Sequence, residues 1–387
     1  MNEWKEFTIL DFAEIHNENR VPLSKMERVG RQGIFPYYGA SGIIDHVNDF
    51  LFEGEFVLIS EDGENLKSRR TPIAFKANGK FWVNNHAHIL KGKKDFHNNL
   101  LIYYFQNLDL NPFITGAVQP KLNKANLLSI PMYLPKDEIK QKAIAYVLSS
   151  LDDKINLLYR QNKTLEAIAQ TLFRQWLVEE AKEDWEEKPL SCIAEHKKVN
   201  VRPEKNPATI YNHYSIPSFD EGKHPVKELG SEIMSNKYQV IPSSILISKL
   251  NPRFPRVWAI PADIEENSIC STEFQVVYPI QLKYYGFIYC LLKSKQIIDE
   301  LIGAAGGTSG SHQRVKPEDI FNITFKMPDL DKVDDFNKIT SQHWQRINNN
   351  KNQIRTLEKL RGVLLPKLMN GEVSVQCKDN KNLMINE

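Results

Sequence analysis

From Ile144 to Trp176 the chain reads IAYVLSSLDDKINLLYRQNKTLEAIAQTLFRQW, with neither proline nor glycine. Ile144, Leu148, Leu151, Ile155, Leu158, Asn162, Leu165, Ala169, Leu172 and Trp176 recur at alternating steps of four and three, the a/d spacing of a heptad. At 1.5 Å per residue such a helix is roughly 50 Å long. A helix with one apolar stripe needs a second stripe, and the sequence supplies it 192 residues downstream. There Ile347, Asn350, Ile354, Leu357, Arg361, Leu364 and Leu368 match Ile155, Leu158, Asn162, Leu165, Ala169, Leu172 and Trp176 at one constant offset. Thr164-Leu165-Glu166 recurs as Thr356-Leu357-Glu358, Pro135 as Pro328, and Glu3-Trp4-Lys5-Glu6 resembles Asp184-Trp185-Glu186-Glu187. The chain therefore reads as two copies of one unit, each a globular domain followed by a long helix. The helices are expected to pair as an antiparallel coiled coil; the alternative is two amphipathic helices docked separately, each on its own domain. Asn162, Asn350 and Arg361 interrupt the seams, and polar groups there fix register at some loss of stability.

The 387 residues suit two or three domains. No run approaches 18 apolar residues, so no membrane span is expected, and the first residues lack the basic-then-apolar form of a signal peptide. The four cysteines form no C-x-x-C, which fits a reducing cytoplasm and argues against zinc. Net charge is only +2, but the bases cluster. Residues 61–94 hold eight Lys or Arg against three acids, 237–256 four against none, and 338–361 six against one. Such faces are the footprint of phosphate contact, with a solvated surface as the ordinary alternative.

Along the first half, Trp4 to Ile15 reads as a strand and a short helix. The aromatic, Gly-rich stretch Phe35–Gly42 reads as a loop, and Phe56–Ile59 as a buried strand. Short strands follow at Phe75, Phe81–Val83 and Ala87–Leu90, then a helix over Asn98–Leu108, a loop from Gln119, and a last strand over Leu128–Leu134. In the second half, Tyr214–Asp220 reads as a turn-rich segment, Ser244–Ile247 and Gln275–Tyr278 as strands, and Gly303–Gly310 as a mobile Gly-rich loop. The second long helix reads from Phe336 to about Met369, Gly371 stops it, and Cys377–Glu387 reads as a frayed polar tail.

Tyr37-Tyr38-Gly39-Ala40-Ser41-Gly42-Ile43-Ile44-Asp45, Trp82-Val83-Asn84-Asn85-His86-Ala87-His88, Leu148 to Ile155, Leu165 to Gln170 and Leu172-Phe173 resemble the specificity subunit of type I restriction–modification systems. The resemblance runs over essentially the whole chain and agrees with the repeat found without it. It implies a mixed α/β (α+β) fold with a pseudo-two-fold internal repeat. Target-recognition domain 1 would occupy 1–135 and the first spacer helix 136–181. Target-recognition domain 2 would occupy 182–328, the second spacer helix 329–372, and a C-terminal tail 373–387. It also implies a non-catalytic reader of double-stranded DNA that docks two modification subunits and, through them, restriction subunits. S-adenosylmethionine, ATP and magnesium would belong to those partners, not to this chain.

Residue type and context nominate the DNA-contacting groups. In the first domain they are Tyr37, Tyr38, Ser41, Lys67, Arg69, Arg70, Asn84, Asn85, His86, Gln119 and Lys121. In the second they are Ser215, Lys237, Lys249, Asn251, Arg253, Arg256, Thr272, Thr308, Ser309, His312, Gln313 and Arg314. Arg reads guanine edges bidentately, Asn and Gln read adenine, and all of these reach phosphate. For any one of Asn84, Asn85 and His86, fixing a turn competes with touching a base. His86 and His88 alternate as metal ligands can, but no Cys or carboxylate partner is identifiable in the sequence nearby.

No catalytic motif is found. Asn251-Pro252-Arg253-Phe254 is broken at Arg253 as a methyltransferase motif, and Glu138-Ile139-Lys140 sits on a helix where i and i+2 face apart. Gly303–Gly310 lacks the Lys-Ser/Thr of a phosphate loop, and no H-E-x-x-H or nucleophile elbow is present.

Overall fold

A computed structural model describes residues 3–116, 118–306, 313–378 and 382–386. The chain divides into two compact units, residues 1–157 with 353–387 and residues 158–352. The division falls within the long helices rather than at their ends, so each unit holds a globular part and a stretch of both helices.

In unit 1 the strands Ala13–Ile15, Ala87–Gly92, Phe52–Ser60 and Ala74–Val83 lie in that order, each antiparallel to its neighbour. Within Phe52–Ser60 the run Phe56–Ser60 is buried without a break, as expected where a strand is covered on both faces. Alternation sends Val57 and Ile59 into a core with the helix His97–Asn107 and sends Phe56 and Leu58 to the other face, among Phe81, Ala77 and Ile89. The sheet is extended by Gln32–Gly39, parallel to Ala74–Val83, and by its hairpin partner Gly42–Val47. The stretch expected to be a loop is therefore a hairpin. Its aromatics are strand formers, and Gly42, at φ +125°, supplies the backbone conformation its turn needs. The segment expected as the last strand opens with the short helix Lys124–Leu128, and the strand itself is Met132–Pro135, antiparallel to Trp4–Phe7.

Unit 2 repeats this framework. Ala194–His196, Phe274–Pro279, Ile245–Ser248 and Val257–Ala259 lie in the same order with the same antiparallel pairings. Glu187–Pro189 pairs with Thr324–Lys326 as Trp4–Phe7 pairs with Met132–Pro135. What differs is the addition. In place of the parallel hairpin, unit 2 has a separate five-stranded sheet ordered Asn200–Val201, Lys237–Gln239, Ser268–Ser271, Ile210–Tyr214, Val226–Leu229. Tyr214–Asp220, expected as turns, contains the helix Ile216–Asp220, whose N-terminus the Ser215 hydroxyl caps.

The first long helix runs Glu138–Arg174 and continues into one π-helical turn, Gln175–Glu179; the second runs Leu330–Asn370, starting earlier than Phe336. Within unit 1, Asp152 of the first meets Arg361 of the second, while Ile144 shares a core with Leu368 and Met369. Within unit 2, Asn162 meets Asn350, Phe173 meets Phe336, and Lys182 meets Asp329. In both units a later residue on one helix faces an earlier one on the other, so the helices pair antiparallel and the alternative of separate docking is set aside. Leu148, Ile155, Leu158, Asn162, Ile347, Asn350, Ile354 and Leu368 are buried; Leu151, Leu165, Leu172, Leu357, Arg361 and Leu364 are half-buried. Gly371 ends the second helix at φ +78°, with the Trp4 ring 2.8 Å from where a Cβ would stand. Beyond it Ser374–Lys378 pairs with Asn382–Asn386, so part of the Cys377–Glu387 stretch expected to fray lies in paired strands.

Candidate nucleic-acid interface

In unit 1 four connections meet at one end of the sheet. The Ser60 hydroxyl donates to Ala40 O (2.5 Å), Glu61 N–H to His86 O (2.9 Å), Gly63 N–H to Pro120 O (3.0 Å), and Leu122 N–H to Glu61 O (2.7 Å). Asn84 N–H donates to Tyr38 O at 3.1 Å. This lattice gathers Tyr38, Ser41, Asn84, Asn85, His86, Gln119 and Lys121, which the sequence scatters over more than eighty residues. Ser41, Asn85, His86, Gln119 and Lys121 are exposed there, as are Lys67 and Arg70 on the adjoining segment.

Beneath the exposed groups lies an ion cluster. Arg20 Nη1 donates to Glu61 Oε2 (2.5 Å) and to Ala87 O (2.9 Å), and Lys121 Nζ lies 3.5 Å from Glu61 Oε1. Burial alone would raise the Glu61 carboxyl; the Arg20 hydrogen bond and the charges of Arg20 and Lys121 outweigh it and hold the group below the ordinary carboxylate value. His88 is fully buried, and burial pulls its pKa down against the pull of Leu122 O and Glu61. Its Nε2–H donates to Leu122 O (2.7 Å) and its Nδ1 accepts from Asn17 (2.8 Å). His86 instead donates from Nδ1 to Asp62 at 2.8 Å. The two histidines therefore face different partners.

Unit 2 carries the same lattice with other side chains. Lys249 N–H donates to Glu273 O (2.9 Å), Asn251 N–H to Gln313 O (2.8 Å), and Val315 N–H to Lys249 O (2.9 Å). Lys249 thus stands where Glu61 stands, Arg314 where Lys121 stands, and Glu273 where His86 stands. Arg314 grips Glu273 through Nε and Nη2 at 3.2 and 3.1 Å, and Arg256 grips Asp220 at 2.8 Å through both nitrogens. Lys249 and Arg253 have no carboxylate at ion-pair distance among the described residues. Asn251 sits at φ +50°, and Thr272 occupies the turn before Phe274–Pro279.

Three nominated residues are buried and held by partners within the fold. Tyr37 is 1% exposed, its ring in a small core with Leu23, Val47 and Trp82 and its hydroxyl accepting from Leu23 N–H at 2.9 Å. Lys237 is 6% exposed, with its Nζ on Ser235 Oγ (2.5 Å), and burial lowers its pKa. Asn84 is 6% exposed, and its Oδ1 accepts His86 N–H at 2.8 Å, fixing the turn. Others are held by the fold while remaining at the surface. Arg69 Nη2 donates to Phe105 O and Leu108 O (2.8 and 2.7 Å) at the end of the helix His97–Asn107. Ser215 caps its helix. Thr308, Ser309 and His312 lie outside the described residues; Gly303 and Ala304 end the helix Lys295–Ala304, and Gly306 pairs with Arg314. Sequence reasoning missed the carboxylates Glu61, Asp62, Asp220 and Glu273 and the base Arg20. Glu138 and Lys140, set aside as a chance motif, pair separately with Lys94 and Glu3.

Residues 1–167 match the type I restriction modification DNA specificity domain. A putative type I restriction enzyme specificity subunit of Haemophilus influenzae is 40% identical over 150 residues, which is 38% of this chain and 37% of that one, so that match spans little more than a third of either. The specificity subunit of a type I restriction enzyme from Methanocaldococcus jannaschii is 26% identical over 81% of this chain and 78% of its own. A crystal structure of a type I restriction–modification system S subunit from M. genitalium superposes with a TM-score of 0.59 at 16% identity, covering 94% of this chain and 96% of that one, and shares the fold. The repeated framework, the paired helices and these likenesses agree: residues 1–167 match a type I restriction modification DNA specificity domain, and the chain as a whole is similar to type I specificity subunits.

Proposed function

We propose that each unit reads one half of an asymmetric, bipartite duplex DNA target, and that the chain itself performs no chemistry. One observation carries this reading. The same backbone lattice recurs at the sheet end of both units, while the side chains it displays differ: Glu61, His86 and Lys121 in one, Lys249, Glu273 and Arg314 in the other. A common frame with different hydrogen-bonding groups is what two half-sites of different sequence require. Exposed Lys67, Arg70, Lys121 and Arg253 set phosphate register, and the neighbouring amides and hydroxyls face base edges.

The paired helices act as the spacer between half-sites and as the seat for two modification subunits. Those subunits carry S-adenosylmethionine chemistry, flip and methylate one adenine per half-site, and bring in the restriction subunits with their ATP and magnesium. The test is methylation mapping. The chain is expressed with a modification subunit from the same system, S-adenosylmethionine is supplied, and the product DNA is sequenced. Adenine methylation at one gapped motif is the expected result; an intact complex that methylates nothing, or only an ungapped motif, overturns the two-half-site reading.

A further inference from the structure

Of the chain's nineteen phenylalanines and six tryptophans, Phe254 alone is exposed. Single exposed apolar residues are ordinary on protein surfaces, so its exposure (64%) matters only through its setting. The lattice position Asn251 N–H to Gln313 O corresponds to Gly63 N–H to Pro120 O in unit 1. Three residues on, unit 1 buries Leu66 to 2% exposure, whereas unit 2 turns Phe254 outward.

The loop presenting Phe254 is stiff. Its N–H donates to Asn251 O (3.0 Å), Pro252 and Pro255 flank Arg253 and Phe254, and Ser248 N–H donates to Arg256 O (2.9 Å). Arg256 is in turn locked to Asp220. Arg253, the preceding residue, is exposed and has no carboxylate at ion-pair distance among the described residues, and the loop follows Lys249 and Asn251, which the lattice ties to Glu273 and Gln313. An exposed cation without an ion pair next to the ring suits a polyanion better than an apolar protein groove.

We infer that Phe254 is a wedge that enters between base pairs in the half-site read by unit 2, unstacking one step and bending the duplex there. Apolar wedges of this kind recur in DNA-deforming proteins, and base–aromatic stacking repays part of the unstacking cost. At the matching position unit 1 buries Leu66, and among the described residues it exposes no phenylalanine or tryptophan, so the deformation is expected in the half-site of unit 2. This rests on the DNA-reading function proposed above.

The test uses the full chain and duplexes carrying the mapped motif, with 2-aminopurine placed at each step in turn. Wild-type protein should brighten one step, in one half-site only, by several-fold. Phe254→Ala should abolish that signal and weaken binding by at least about five-fold, with an unchanged salt slope because no charge is lost. Phe254→Trp should keep the signal, and an unchanged melting temperature shows that each variant is folded. If wild type binds and no step brightens, or if Phe254→Ala binds as wild type does, the wedge is overturned while DNA reading stands. If Phe254→Ala keeps its DNA affinity but no longer retains the modification subunit, the residue is a protein contact. If wild type binds no duplex in low salt, it is the underlying reading that fails.

Discussion

At the scale of single residues, the surface arginines divide by what they touch. Arg69 satisfies two carbonyls that end a helix, and Arg253 has no carboxylate at ion-pair distance among the described residues. Arg69→Ala should therefore lower stability by about 1 kcal/mol, the low end for a charged hydrogen bond because the side chain is solvated. It should leave duplex affinity per folded molecule unchanged. Arg253→Ala should leave the melting temperature alone, weaken duplex binding, and reduce the salt slope by about one. Thermal melts and salt titrations of the two variants check this, and the reverse pattern would exchange their roles. Sequence could not make the division. The partners of Arg256 and Arg314 lie 36 and 41 residues away, so a basic cluster in the sequence gives no sign of which bases are already paired. Tyr37 shows the same limit: a surface-type residue in a Gly-rich stretch proved to be core because the stretch is a strand.

At the scale of elements, the helices were the most legible part because a/d spacing is local and needs no knowledge of what lies opposite. The facing of Asn162 with Asn350 was not legible, since the repeat aligned Asn350 with Leu158; only antiparallel pairing brings the two amides to 2.9 Å. Replacing Asn350 alone by Leu buries the Asn162 amide unpaired and should cost about 1–3 kcal/mol. Replacing both by Leu should recover that loss or exceed it, while relaxing register and raising self-association. Urea unfolding and sedimentation on the single and double variants measure this; a double variant as unstable as the single would show that the amides do not act as a pair. Short strands were less legible than helices. Val57 and Ile59 were recognisable as buried, but the added sheets that distinguish the units are built from two- to five-residue strands in unit 2, too short for a periodic signal.

At the scale of the molecule, both units hold histidines whose burial, complete or partial, disfavours the charged ring. Burial lowers the pKa of His88 and His97 in unit 1 and of His196 and His213 in unit 2. Each folded value lies below the unfolded value of about 6.5, so the unfolded chain takes up protons first as pH falls. Their contribution to stability is complete above about pH 6.5 and is lost as pH falls through the folded values. The urea midpoint should therefore drop between pH 7 and 5, before most carboxylates titrate; a flat midpoint over that range would show that these rings can take up protons without unfolding.

The Trp4 ring against Gly371 carries a consequence for how the chain is made. Unit 2 is one unbroken segment, 158–352, whereas unit 1 is assembled from the first 157 residues and the last segment, 353–387. During translation everything unit 2 requires has left the ribosome while unit 1 still lacks Leu368, Met369 and the glycine against which its first tryptophan rests. The half that is synthesised first is the half that is finished last, and a premature stop at Asn352 would spare the later-made domain and cripple the earlier one.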